Sequence, residues 1–271
     1  MRWITLLFVA VLLFTTSQAI ARLDRDLVVY FTFDKVKGEK ILDASGNNLN
    51  AHIVANVDFA EGKYRDGMDI AAEPEGDDCV HIPADDLLKI AGEITMMAWV
   101  YHEDWDTALG SWLDRGSRIL AQERNRSYGM GFFDGGLFAF KGADIGMVLG
   151  AGQITRSFTT NGPIVNKSWH HIAGTYDGRI WRIYMNGIIH SEGEENFEFS
   201  GTNDFDLRIG CAAGSPRYTF RNGSIDEVGV WRRALTQAEI QEAMKDFLSV
   251  SPKNKVAATW GDIKRGTIVY K

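Results

Sequence analysis

Between Trp169 and Gly187 apolar and polar positions alternate in two runs, each followed by a turn dipeptide. In the first run Trp169, His171, Ala173 and Thr175 share one face, and His170, Ile172, Gly174 and Tyr176 the other. Asp177-Gly178 reverses the chain. Trp181, Ile183 and Met185 then oppose Ile180, Arg182 and Tyr184, and Asn186-Gly187 turns the chain again into Ile188-Ile189-His190. Period-two alternation marks strands. Asp-Gly or Asn-Gly between two such runs marks a hairpin, because a type I′ turn needs positive φ at both central residues. The pattern therefore predicts a three-stranded meander.

The same reading finds strands along most of the chain: 27–33, 68–71, 79–82, 94–101, 118–122, 128–133, 137–141, 153–159, 206–210 and 224–231. Many short strands with turn residues between them indicate a sandwich or jelly roll. One helix interrupts the series. Thr236 and Glu239 make a capping box, and Leu235 and Ile240 stand at the positions of a hydrophobic staple. Ile240, Ala243, Met244 and Phe247 follow at helical spacing and predict a helix lying on the sandwich.

The first 21 residues follow a different pattern. Arg2 precedes an apolar run from Trp3 to Phe14, broken only by Thr5, and Ala19-Ile20-Ala21 offers small residues for cleavage. These are the parts of a secretory signal peptide, and the apolar run is short for a membrane span. The expected organisation is a signal peptide over 1–21, one domain over 22–248 and a polar tail over 249–271. No later stretch reaches the ~20 apolar residues that a span needs. The product is expected to be secreted, extracellular or periplasmic.

Composition narrows the partners. The net charge is −7, which disfavours nucleic acid and anionic membranes. It suits neutral polysaccharide or cations. Cys79 and Cys211 are the only cysteines, and secretion permits a disulfide between them. Two separate buried thiols are the alternative.

The order of motifs resembles the laminin-G-like branch of the concanavalin A-like lectin/glucanase superfamily. The motifs run from Tyr30-Phe31-Thr32-Phe33-Asp34 and Asp43-Ala44-Ser45-Gly46-Asn47-Asn48 through Gly67-Met68-Asp69-Ile70 and Ile94 to Val100. The meander and Gly223-Ser224-Ile225-Asp226-Glu227-Val228 complete them. The resemblance covers roughly Leu27 to Phe247. It implies an all-β fold, a jelly-roll sandwich of two antiparallel sheets with neighbouring first and last strands and one short C-terminal helix. It also implies a structural Ca2+ near the junction of the first loop and the last strand, held by Asp43, Asn47 and Asp226 with Asp34 as a further ligand. The alternative for that loop is an Asx-type turn, in which Asp43 and Asn47 bond the backbone.

Relatives in the wider superfamily include glucanases, so carboxylate pairs need weighing. A retaining glycosidase needs two carboxyls about 5 Å apart. Asp226 and Glu227 are neighbours on a strand pattern and are expected to face apart. His170-His171 fails as a metal motif for the same reason. The expectation is a non-catalytic module.

For a ligand, the long segment after Tyr101 places Trp105 and Trp112 among Asp104, Asp106 and Asp114. Rings stack on the apolar face of a sugar, and carboxylates accept its hydroxyl protons. Arg217, Tyr218 and Arg221 form a second candidate loop. Carbohydrate or a glycoconjugate is thus the expected partner. An adhesion or surface-assembly module with an extracellular protein partner is the alternative, and a glycan-cleaving hydrolase the third reading.

Overall fold

The computed structural model describes residues 23–55, 57–71, 79–103, 118–122, 127–133, 144–151, 154–161, 165–201, 204–211 and 219–245. The expected signal peptide, the 249–271 tail and the 137–141 strand lie outside the described residues. The strands open with β1 (Leu27–Phe31), β2 (Val36–Lys37), β3 (Lys40–Ile41), β4 (Ala51–Ile53), β5 (Val57–Glu61) and β6 (Asp66–Ile70). Next come β7 (Val80–Ile82), β8 (Ile90–Ala91), β9 (Ile94–His102), β10 (Arg118–Gln122), β11 (Tyr128–Phe133) and β12 (Asp144–Ala151). The series ends with β13 (Ile154–Asn161), β14 (His170–Tyr176), β15 (Ile180–Met185), β16 (Ile188–Glu194), β17 (Ser200–Gly201), β18 (Leu207–Ile209) and β19 (Gly223–Trp231). Helix α1 (Gln237–Ala243) follows.

Two sheets face each other. The eight-stranded sheet runs β16-β15-β14-β9-β19-β6-β5, with β1 also on β19. The eleven-stranded sheet runs β2-β3-β4-β7-β18-β10-β11-β12-β17-β8, with β13 on β12. Pairing between these strands is antiparallel apart from the contact of β12 with β17. This is the jelly-roll sandwich that the strand pattern and the resemblance imply, and its first and last strands are neighbours.

The core follows from alternation. Met96, Ala98 and Val100 of β9 and Ile225, Val228 and Val230 of β19 point inward. Leu120, Met130, Met147 and Ile209 meet them from the other sheet. A second apolar cluster lies on the outside of the eight-stranded sheet, where Ile240 and Ala243 of α1 cover Met97, Ala173, Tyr184 and Trp231. The capping box is formed: Thr236 Oγ1 accepts from Glu239 N, and the Glu239 carboxylate accepts from Thr236 N. Cys79 and Cys211 form a disulfide with Cα atoms 5.6 Å apart, joining the start of β7 to the end of β18.

The meander is present as β14-β15-β16, but its two turns differ. Met185 pairs directly with Ile188, and Asn186 (φ 49°) and Gly187 (φ 75°) both adopt the left-handed conformation, as a type I′ turn requires. At the first turn only Gly178 has positive φ. There Asp177 Oδ1 accepts from Arg179 N and Ile180 N, so an Asx turn replaces the expected two-residue hairpin.

Candidate functional site

The outer face of the eight-stranded sheet carries its side chains in rows, because directly paired residues share a face. One row is Ala173, Met97 and Gly229, part of the apolar surface beneath α1. The next is His171, Trp99 and Asp226. The third brings Tyr101, Ser224 and Asp69 together, and Trp169 extends it from the residue before β14.

The middle row is buried. Trp99 is 5% exposed, and His171 and Asp226 are fully buried. The His171 ring meets Trp99 edge-on at 5.3 Å, and burial lowers its pKa to about 3. Lys63 lies over the Trp99 ring at 4.2 Å. The indole N–H of Trp99 and the Tyr64 hydroxyl both donate to Met244 O, at 3.1 and 2.9 Å. These bonds tie the end of α1 to the sheet and satisfy a helix-terminal carbonyl.

Asp226 and Glu227 depart from the expected geometry. Asp226 pairs with Trp99 and Gly229 with Met97, so Glu227 and Val228 together oppose Ala98. That is a β-bulge, and Glu227 takes its left-handed corner at φ 51°. Val228 returns to the core, while Glu227 stays on the outer side, where its Oε2 accepts from Tyr30 OH at 2.5 Å. The expectation that the two carboxylates face apart is therefore corrected, since a bulge breaks period-two alternation.

Asp226 Oδ2 accepts from Tyr64 N at 3.0 Å and its Oδ1 from Glu227 N at 2.7 Å. Burial nevertheless raises its pKa to about 7, outweighing these backbone bonds. Gly62 is packed against it: a Cβ there would lie 2.7 Å from Asp226 Oδ2.

The third row is open. Tyr101 and Trp169 stand with ring centroids 5.7 Å apart. With Glu61, Gly62 and Ser224 they line a pocket of about 310 Å³, within the size range of small-molecule sites. Ser224 Oγ donates to Asp69 Oδ1 at 2.8 Å. The Tyr101 hydroxyl donates to Glu103 Oε1 at 3.0 Å. Desolvation first, then the Glu103 carboxylate, push the Tyr101 pKa up, which keeps its proton in place. Lys167 Nζ lies 3.5 Å from the other Glu103 oxygen. The pocket thus combines two half-exposed rings with the Glu61 carboxylate and the Tyr101 and Ser224 hydroxyls.

A family profile described as the concanavalin A-like lectin/glucanases superfamily, of laminin G type, matches residues 74–241. The chain belongs to this superfamily. Pappalysin-1 of Mus musculus is 30% identical over 101 residues, which are 36% of this chain and 6% of that protein. Among solved structures, the binding domain of Paraclostridial Mosquitocidal Protein 1 aligns with a TM-score of 0.63 at 17% identity, over 83% of this chain and 53% of that one. Domain 4 of the arabinanase AbnA from Geobacillus stearothermophilus, solved with arabinotriose, gives 0.59 at 17% identity, over 80% and 98%. The ligand-binding domain of botulinum neurotoxin serotype D, solved with N-acetylneuraminic acid, gives 0.61 at 13% identity, over 82% and 51%. At these identities the likeness is one of fold.

Within this concanavalin A-like frame the sequence-predicted sites fare differently. Trp105, Trp112, Asp104, Asp106, Asp114, Arg217 and Tyr218 lie outside the described residues. Arg221 is half-buried in the turn before β19. Sequence reasoning passed over the Tyr101–Trp169 pocket, because both rings sit at strand positions that read as sheet-face packing. Their signal was a third outward aromatic position beyond Trp99.

Each of the four expected calcium ligands is engaged in hydrogen bonds within the chain. Calcium takes six to eight oxygens. Asp43 Oδ1 accepts from Tyr30 N and Ser45 N, and its Oδ2 accepts from Ser45 Oγ and Leu49 N. Asn47 turns its amide donor to the Leu27 and Val28 carbonyls. Asp34 accepts from Arg65 Nε at 2.7 Å and from Asp66 N. Among the described residues no group of three or more His, Cys, Asp or Glu is placed to hold a metal. The loop has the hydrogen bonds of an Asx turn.

Proposed function

We propose that this chain is a non-catalytic carbohydrate-binding module that works outside the cell, with a sugar unit seated in the Tyr101–Trp169 pocket. The observation that carries this reading is the pocket's chemistry. Two rings can cover the apolar face of a pyranose or furanose, while Glu61 and Ser224 supply polar partners for its hydroxyls. The complexes of the arabinanase domain with arabinotriose and of the neurotoxin domain with N-acetylneuraminic acid support the class of ligand.

Burial supports the non-catalytic part. Asp226 and Glu227 share a face, but they are 0% and 1% exposed. A carboxylate that acts on a glycosidic bond must reach the substrate oxygen. The disulfide suits an oxidising compartment. No helix among the described residues is long and apolar enough to cross a membrane.

The test is calorimetric titration of the chain with a panel of neutral and acidic oligosaccharides, repeated with Trp169→Ala and Tyr101→Ala. Saturable binding to one of them, weakened about tenfold or more by either change, is expected. Unchanged affinity in both variants would remove the pocket as the sugar site.

A further inference from the structure

The outer face of the other sheet carries a row of its own. Lys37 pairs with Lys40, Lys40 with His52, His52 with His81 and His81 with Arg208. Five adjacent strands, β2, β3, β4, β7 and β18, thus each place one basic side chain on a single line. Paired residues share a face, and that face is the outer one, since the neighbouring Ile41, Ala51, Val80 and Ile209 are buried in the core. Both lysines are exposed, and His52, His81 and Arg208 are half-buried. The two imidazoles meet edge-on at 5.6 Å. Strand spacing sets about 4.8 Å between successive groups, so the row extends for roughly 19 Å.

This concentration of basic groups stands out on a chain of net charge −7. We infer that the Lys37–Lys40–His52–His81–Arg208 row is a second binding site, separate from the Tyr101–Trp169 pocket, for an extended polysaccharide bearing carboxylate or sulfate groups. A single file of regularly spaced cations matches a thin chain with acid groups at intervals. Among polyanions, a polysaccharide fits the ligand class proposed for the Tyr101–Trp169 pocket.

His81 is anchored within this row. Its Nδ1 lies 3.1 Å from Asp206 Oδ2, and Asp206 Oδ1 accepts from Ala84 N. His52 and Arg208 flank the ring on the adjacent strands, and Asp206 is the acid that faces it.

The experiment is fluorescence anisotropy of fluorescein-labelled dextran sulfate titrated with the chain, with unsulfated dextran as control. Dextran sulfate binds at low salt and unsulfated dextran does not. The Lys37→Ala/Lys40→Ala double variant alters only exposed side chains. It raises Kd about fivefold and flattens the dependence of log Kd on log salt by about two charges. Trp169→Ala leaves all of this unchanged. Equal affinity of the double variant, or no saturable binding of dextran sulfate, overturns the inference. Equally tight binding of a single-stranded oligonucleotide of the same charge overturns the choice of a polysaccharide.

Discussion

Asp226 and Glu227 are adjacent in sequence and emerge on the same side of β19. The bulge that brings this about leaves each with its own support, Asp226 on the Tyr64 and Glu227 amides and Glu227 on the Tyr30 hydroxyl. Tyr30 is fully buried and comes from the first strand, so this bond joins the first and last strands from the side.

Tyr30→Phe tests that join. It keeps the ring against Trp231, 6.1 Å away edge-on, and removes only the donor to a buried carboxylate. A loss of about 1–3 kcal/mol is expected, read from the midpoint of a urea unfolding curve at unchanged slope. A variant as stable as the parent would show that the hydroxyl contributes nothing net.

The flanks of Trp99 set a pH signature. Asp226 holds its proton up to about pH 7 when folded, against roughly 3.9 for a free side chain. The unfolded chain therefore releases that proton first, and stability falls as pH rises from about 4 to about 7. His171 acts in the opposite sense. Its folded pKa of about 3 means that the unfolded chain binds the proton first, so stability falls as pH drops below about 6.5. Between about pH 4 and pH 6.5 the two slopes oppose each other. Asp226→Asn removes one of them. Its stability, relative to the parent, is expected to rise with pH across that window when both are followed by urea unfolding. Parallel profiles would refute the assignment.

The disulfide closes a loop with a sequence separation of 132. A loop of that length corresponds to roughly 4–5 kcal/mol in the chain-entropy account. Reduction, or Cys79→Ser, is expected to lower the thermal midpoint by several degrees or more. An unchanged midpoint after verified reduction would contradict this.

Much of the frame was legible because alternation and turn chemistry act locally. β9, β14, β15, β16 and β19 are read from their side chains alone, and so is the capping box of α1. The strands that escaped notice lack this signal. In β12, Gly146 lies directly opposite Gly131 of β11, and Gly150 recurs on the same face, which leaves the alternation weakly marked. The Asp226–Glu227 bulge escaped for a related reason. It is set by the register of β19 against β9, a tertiary property. The pocket escaped because only the assembled sheet shows that Trp169 and Tyr101 extend beyond the cover of α1.

Asp43 separates a turn from an ion site. Its carboxylate accepts three backbone N–H groups and the Ser45 hydroxyl, and one of those amides belongs to Tyr30 in the first strand. Removing the carboxylate leaves these donors short of an acceptor whatever ions are present. Asp43→Ala is therefore expected to lower stability by roughly 2–4 kcal/mol, and equally in millimolar calcium and in chelator. Thermal unfolding of parent and variant under both conditions decides the matter. An ion that binds only the native state would raise the parent's midpoint by mass action, and the substitution would then cost more with calcium present than in chelator. Equal losses mean that the loop is held by its own hydrogen bonds.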